Sequence, residues 1–131
     1  MLNTSNAKCA TILIVEDDER TVALYARMLR IEGYNVRTAV TAQAGLEDVV
    51  ASPPDALILD FRMPDMDGIE FLRRLRTFDE LRHLPVTIAT GVCFLDDTIP
   101  NALRELGAEI RHKPLWLTDL ADIGLKLCQG R

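Results

Sequence analysis

Two apolar runs in this chain stop abruptly at acids. Ile12-Leu13-Ile14-Val15 ends in Glu16-Asp17, and Ala56-Leu57-Ile58-Leu59 ends in Asp60. A third polar marker, Lys113-Pro114, stands near the end of the chain. Short apolar runs without strict alternation read as strands buried on both faces, the pattern of a parallel sheet. In an open α/β sheet, ligands bind outside the carboxyl ends of the strands. Two acids, a third acid and a lysine are therefore expected to converge on one edge of one sheet. Carboxylates crowded beside a lysine suggest a divalent cation and an anionic group.

The rest of the chain alternates strand and helix signals with short connections. Residues 11–15 read as the first strand. A helix over 19–32 follows, with Val22, Tyr25, Met28 and Leu29 at helical spacing and Gly33 as its cap. Residues 34–39 read as a second strand, and Thr41 as the cap of a helix over 42–51 that Pro53-Pro54 ends. Residues 55–60 form the third and most apolar strand. After a turn-rich loop from Pro64 to Gly68, the positions Ile69, Leu72, Leu75 and Phe78 repeat at helical spacing, with Arg73, Arg74 and Arg76 expected on the solvated side. A fourth strand over 84–90 leads to a helix from Thr98 or Ile99 to Leu106, with Pro100 in its first turn and Gly107 as its cap. Residues 108–112 make a fifth strand. Leu117, Leu120, Ile123 and Leu127 line a final helix. Five β–α units result, with the helices as crossovers between parallel strands.

Composition bounds the function. The chain has 131 residues, the size of one domain, and its 48% hydrophobic residues suffice for a core. A net charge of −5 argues against non-specific nucleic-acid binding. No apolar run approaches the ~20 residues that span a bilayer, and Met1 to Lys8 lacks the apolar stretch of a signal peptide. Cys9, Cys93 and Cys128 are odd in number and lack metal-ligand spacing. Three reduced, unpaired thiols in a cytoplasmic protein are the simplest expectation.

Two or three acids within a few ångströms stay ionised together with a cation between them. An all-oxygen site with few protein ligands suits Mg²⁺, which keeps waters and binds phosphate oxygens. Such a site serves phosphoryl transfer, and a carboxylate can itself be the nucleophile. Four fragments carry a resemblance: ILIVEDD over 12–18, LILDFRMPDMDG over 57–68, PVTIATG over 85–91 and HKP over 112–114. In that order and spacing, over residues 10–128, the chain resembles the receiver domain of two-component response regulators. The resemblance implies an α/β fold: a doubly wound five-stranded parallel sheet in order 2-1-3-4-5, flanked by five helices. It implies a receiver domain over 10–131, with 1–9 as an N-terminal extension.

The resemblance also implies roles. Asp60 matches the phosphoacceptor, Asp17 a direct Mg²⁺ ligand, Glu16 an acid holding the metal through water, and the Arg62 backbone carbonyl a third protein ligand. Thr90 matches the hydroxyl that bonds the phosphoryl group, and Lys113 the lysine that pairs with it. The implied donor is a sensor histidine kinase or histidine phosphotransfer protein. The implied output is a changed surface around the fourth helix, fifth strand and fifth helix, where a homodimer is also allowed. Ile110 stands where members often carry an aromatic, so an aromatic rotamer switch is not implied. The Lys113-Pro114 bond is cis in this family.

Other polar residues have plainer expectations. Asp18 and Asp65 read as helix caps or loop solvation. His83 and His112 read as solvated or packed beside the sheet, without metal. Trp116 is an anchor or an interface residue, and the apolar loop with Val92, Phe94 and Leu95 packs inward or forms an interface. A phosphohydrolase with an aspartyl nucleophile is the enzyme alternative, but Arg62 stands where its general acid/base would be. A receiver-shaped interaction module without phosphorylation is the binding alternative.

Overall fold

The computed structural model describes residues 10–129, with side chains as far as Lys126. The expected extension with Cys9, and the side chains of Leu127 and Cys128, lie outside the described residues. The elements are β1 (Thr11–Val15), α1 (Glu19–Ile31), β2 (Asn35–Ala39), α2 (Ala42–Ala51), β3 (Ala56–Asp60), α3 (Gly68–Leu75), a 3₁₀ turn (Asp79–Leu81), β4 (Val86–Thr90), α4 (Thr98–Glu105), β5 (Ala108–His112) and α5 (Leu117–Gln129). All strand pairs are parallel, in the order β2-β1-β3-β4-β5.

The lack of alternation in the apolar runs has a direct cause. Leu13, Val15, Leu57 and Leu59 pack on α2, α3 and α4 through Leu46, Val49, Phe71, Leu72 and Leu103. Ile12, Ile14 and Ile58 point the other way, onto Val22, Tyr25, Leu29, Leu120 and Ile123 of α1 and α5. Both faces of the central strands are covered, so every position is apolar until the sheet ends.

The helix ends follow their sequence. Asp18 caps α1, accepting from the Arg20 N–H at 3.0 Å, and Gly33, at φ 100°, takes the left-handed turn that closes it. Thr41 caps α2 through the Ala44 N–H, and Asp67 caps α3 through the Glu70 N–H. Asp119 reaches back to the Trp116 N–H at the start of α5.

Four expectations are corrected. The helix expected to run through Phe78 stops at Leu75, and Phe78 is 42% exposed. Arg76, expected in solvent, folds inward instead: its Nε donates to Leu106 O at 2.9 Å, and its Nη1 to Leu81 O at 2.7 Å and Leu84 O at 2.9 Å. With three carbonyls from two loops gathered on one guanidinium, the chain leaves the helix and makes the 3₁₀ turn. Leu117 faces solvent, and the described apolar face of α5 is built from Leu120 and Ile123. The strands expected from Asp55 and Leu84 begin at Ala56 and Val86.

The packing of α5 depends on a small residue. A β-carbon at Gly124 would sit 2.7 Å from Tyr34 Cε2, inside contact distance of a buried ring. Gly124→Ala is expected to destabilise the fold by about 1–3 kcal/mol through overpacking, read from urea denaturation. Arg76→Ala, which removes the side-chain donor from three loop carbonyls, is expected to lower stability by about 1–3 kcal/mol in the same assay.

Candidate functional site

The sheet register assembles the site. Val15 pairs with Leu59 and Asp60 with Ala89, while Thr90 pairs with His112. One residue beyond those pairs, Glu16, Asp60, Thr90 and Lys113 reach the same carboxyl edge. Backbone bonds continue the ladder there: Glu16 N–H donates to Ala39 O at 3.0 Å, Phe61 N–H to Ala89 O at 2.9 Å, and Lys113 N–H to Thr90 O at 2.8 Å.

The side chains then meet. Lys113 Nζ lies 2.8 Å from Glu16 Oε1 and 3.3 Å from Asp60 Oδ1. Glu16 is 2% exposed and Asp60 7%, whereas Asp17 is open to solvent. Glu16, Asp17 and Asp60 each offer a carboxylate oxygen within 4.8 Å of the others. Three carboxylates beside one ammonium leave two negative charges uncompensated. That donor set, all oxygen and open on one side, fits a divalent cation of the Mg²⁺ type.

The electrostatics agree. Burial pushes the Asp60 carboxyl above the ordinary aspartate range; Lys113 pulls it back, and the charge of Asp17 pushes it further. Burial also raises Glu16, against its bonds from Lys113 and the Asp18 N–H. Lys113 is held above its usual value: burial would lower it, but the bond to Glu16 and the Asp60 charge outweigh that.

The other expected residues are accounted for. Thr90 is buried, and its hydroxyl oxygen accepts the Val92 N–H at 3.1 Å. The Arg62 backbone N–H helps hold the Asp60 carboxyl down against burial, and the Arg62 side chain is exposed. The Lys113-Pro114 bond is cis, as expected. Ile110 is half-buried against the cluster that faces α2–α4. His83 and His112 are exposed, as is Trp116. In the apolar loop, Phe94 turns inward, edge-on to Phe61 with ring centres 5.3 Å apart, while Leu95 faces solvent. Cys93 is free and exposed.

Two contacts near the site escaped the sequence. The buried Tyr25 hydroxyl accepts the Leu115 N–H at 3.2 Å, two residues after Lys113. Helical spacing marked Tyr25 as core but said nothing of its hydroxyl. Asp65, expected as a helix cap or a solvated acid, caps α2, whose Ala42 and Gln43 N–H groups lie 23 and 22 residues away in sequence; the distant partner is what the sequence did not show.

The raised carboxyl has a consequence for stability. A carboxyl whose folded pKa is raised binds its proton more tightly in the folded state, so it stabilises at low pH and costs stability as pH rises. Asp60→Asn is therefore expected to melt higher than the wild type at pH 7 without divalent cation. The difference closes as pH falls through the raised folded pKa of Asp60 toward the unfolded value of about 4. Melts at stepped pH check this.

Comparisons with known proteins point the same way. Residues 12–122 match the response regulator receiver domain family. The chain is 34% identical over 110 residues to the transcriptional regulatory protein PrrA of Mycobacterium tuberculosis, covering 83% of this chain and 46% of that protein. It is 40% identical over 111 residues to the response regulator MprA of Mycobacterium leprae, covering 76% and 49%. The chain thus spans about half the length of these relatives. A solved structure of a putative response regulator from Chloroflexus aurantiacus superposes with a TM-score of 0.81 at 30% identity, covering 92% of this chain and 98% of that one. The chain belongs to the response regulator receiver domain family, whose members are phosphorylation-dependent signalling switches.

Proposed function

We propose that Asp60 is the phosphoacceptor of this receiver and that it works with Mg²⁺ held by Asp17, Asp60 and the Arg62 carbonyl, with Glu16 acting through water. The observation that carries this is the meeting of three carboxylate oxygens within 4.8 Å beside a single lysine at the end of β3. When bound, Mg²⁺ would offset the excess negative charge and draw in phosphoryl oxygens.

The chain's own residues supply the rest. An Asp60 carboxylate oxygen attacks the phosphorus of a phosphohistidine: the O–P bond forms as the N–P bond breaks, and the leaving imidazole nitrogen keeps the electron pair. The Lys113 ammonium, now shared between Glu16 and Asp60, turns to the new phosphoryl oxygens. The Thr90 hydroxyl gives up its bond from Val92 N–H and donates to the phosphoryl group. Because Thr90 and Lys113 belong to β4 and the turn after β5, these moves bias the surface of α4, β5 and α5. That surface recruits or releases an output partner, and a homodimer through it is compatible with this reading.

The donor in this reading is a sensor histidine kinase or a histidine phosphotransfer protein in the cytoplasm. Residues 10–131 would form the receiver and 1–9 an extension. No helix among the described residues is long and apolar enough to cross a membrane. The domain is a phosphoacceptor that assists its own phosphorylation and dephosphorylation, rather than a turnover enzyme on an outside substrate. The exposed Arg62 side chain, standing where a hydrolase would place its acid/base, supports that distinction.

Intact mass after incubation with a small phosphodonor tests the site. One added phosphoryl group is expected for the wild type with Mg²⁺, and none for Asp60→Asn or without Mg²⁺. Labelling that survives in Asp60→Asn would move the acceptor elsewhere.

A further inference from the structure

We propose that Asp65 is a positioning residue for the cation site: its carboxylate ties the β3–α3 loop to the first turn of α2 and so fixes the Arg62 backbone beside Asp60. The inference rests on the phosphoacceptor reading given above.

The geometry begins at α2. A helix leaves its first N–H groups without intrahelical partners. Thr41, the N-cap, satisfies Ala44 N–H through its side chain. The Ala42 and Gln43 N–H groups remain, and both donate to Asp65, to Oδ1 at 3.1 Å and to Oδ2 at 3.0 Å. Both oxygens of one carboxylate are spent on one helix end, where the helix dipole also favours an anion. Asp65 is held below the ordinary carboxylate range, chiefly by the Gln43 N–H, so the tie is charged at neutral pH.

The other end of the tie is the loop between Asp60 and α3. Its base is closed locally: Gly68 N–H donates to Phe61 O at 2.8 Å, Arg62 bridges to Asp67, and Asp67 caps α3. The tip, Pro64 to Met66, lies beyond these closures. Among the described residues, the polar tie from that tip to the rest of the chain is the Asp65 carboxylate.

Arg62 stands in that base, two residues before the tip begins at Pro64. Its backbone N–H helps hold the Asp60 carboxyl down against burial, and its carbonyl is the proposed ligand. A side-chain ligand can search rotamers to meet a cation. A backbone carbonyl moves only as its loop moves, so its position is set by whatever holds the loop. Asp65 also carries the helix that packs on Val15, the residue before Glu16: a β-carbon at Gly45 of α2 would lie 2.6 Å from Val15 Cγ2. One carboxylate thus joins the loop that carries Arg62 to a helix packed on the strand that ends at Glu16.

The test separates positioning from capping. Mg²⁺ affinity is measured by calorimetric titration, and melting without Mg²⁺, for the wild type, Asp65→Ala, Asp65→Asn, Thr41→Ala and Asp17→Asn. Thr41→Ala removes a cap from the same helix without releasing the loop. Asp65→Ala is expected to raise the Mg²⁺ Kd about tenfold or more. Asp65→Asn, which keeps one acceptor oxygen, should fall between. Thr41→Ala should melt lower yet bind Mg²⁺ as the wild type does. An Asp65→Ala chain that melts lower but keeps wild-type affinity reduces Asp65 to a helix cap and overturns the inference. If wild type and Asp17→Asn are equally unable to bind Mg²⁺, the cation-site reading itself fails, and the inference with it.

Discussion

One ammonium shared by two buried carboxylates governs this molecule. Lys113 Nζ bridges Glu16 and Asp60, both almost sealed from water. Burying charge is costly unless it is paired, and here the pairing is incomplete by design of the neighbourhood: Asp17 adds a third carboxylate within reach. The groups cannot drift apart to relieve this, because each is carried by a strand end whose backbone is already bonded into the ladder. The apolar interior offsets the strain. Ile12, Leu13, Ile14, Leu57, Ile58, Leu59 and Ile88 are essentially inaccessible to solvent, with helices on both sides of the sheet. The site is an unfavourable cluster of charge held in place by a favourable core, which makes it receptive to a cation or a change in charge.

That arrangement was legible in the sequence for a simple reason. A central parallel strand covered on both faces must be apolar throughout, so the first charged residue marks the edge of the sheet. Glu16 and Asp60 announced themselves as breaks in pattern, whereas Lys113 follows a mixed edge strand and stood out through the fragment it shares with Pro114; the helix caps Asp18 and Thr41 showed as small polar residues before helical spacing. What could not be read were contacts between residues far apart in sequence that follow no period. Asp65 looks like any loop acid until the fold brings α2 beside it. Arg76 looks like its neighbours Arg73 and Arg74, because outward and inward arginines share a spelling. Its inward turn depends on three carbonyls that the 3₁₀ turn and the α4–β5 connection supply together. The expected continuation of α3 to Phe78 failed on the same ground: helical spacing persists in the sequence after tertiary contacts have ended the helix.

The two ends of the sheet differ in how their charges are balanced. At the amino ends of β3, β4 and β5 lies a cavity of about 440 Å³, with Thr87, Glu109 and Lys126 in its wall. Its Glu109 and Lys126 are paired with each other. Glu109 accepts from Thr87 Oγ1, Arg111 and Lys126, and Arg111 also pairs with Asp119 and Asp122 across to α5. These bonds hold Glu109 below the ordinary carboxylate range despite its partial burial. At the carboxyl edge the balance is reversed: Asp60 and Glu16 are pushed up, chiefly by burial and further by the charge of a neighbouring acid, against the pull of a single lysine. Acidic residues occur at both places, so acidity alone does not mark a site. The mark is charge that the fold buries and leaves partly uncompensated. Among the described residues, the group of acids placed to share a metal ion is Glu16, Asp17 and Asp60. A stabilising network spends its charges on one another, whereas a phosphoacceptor must hold some of its charge in reserve.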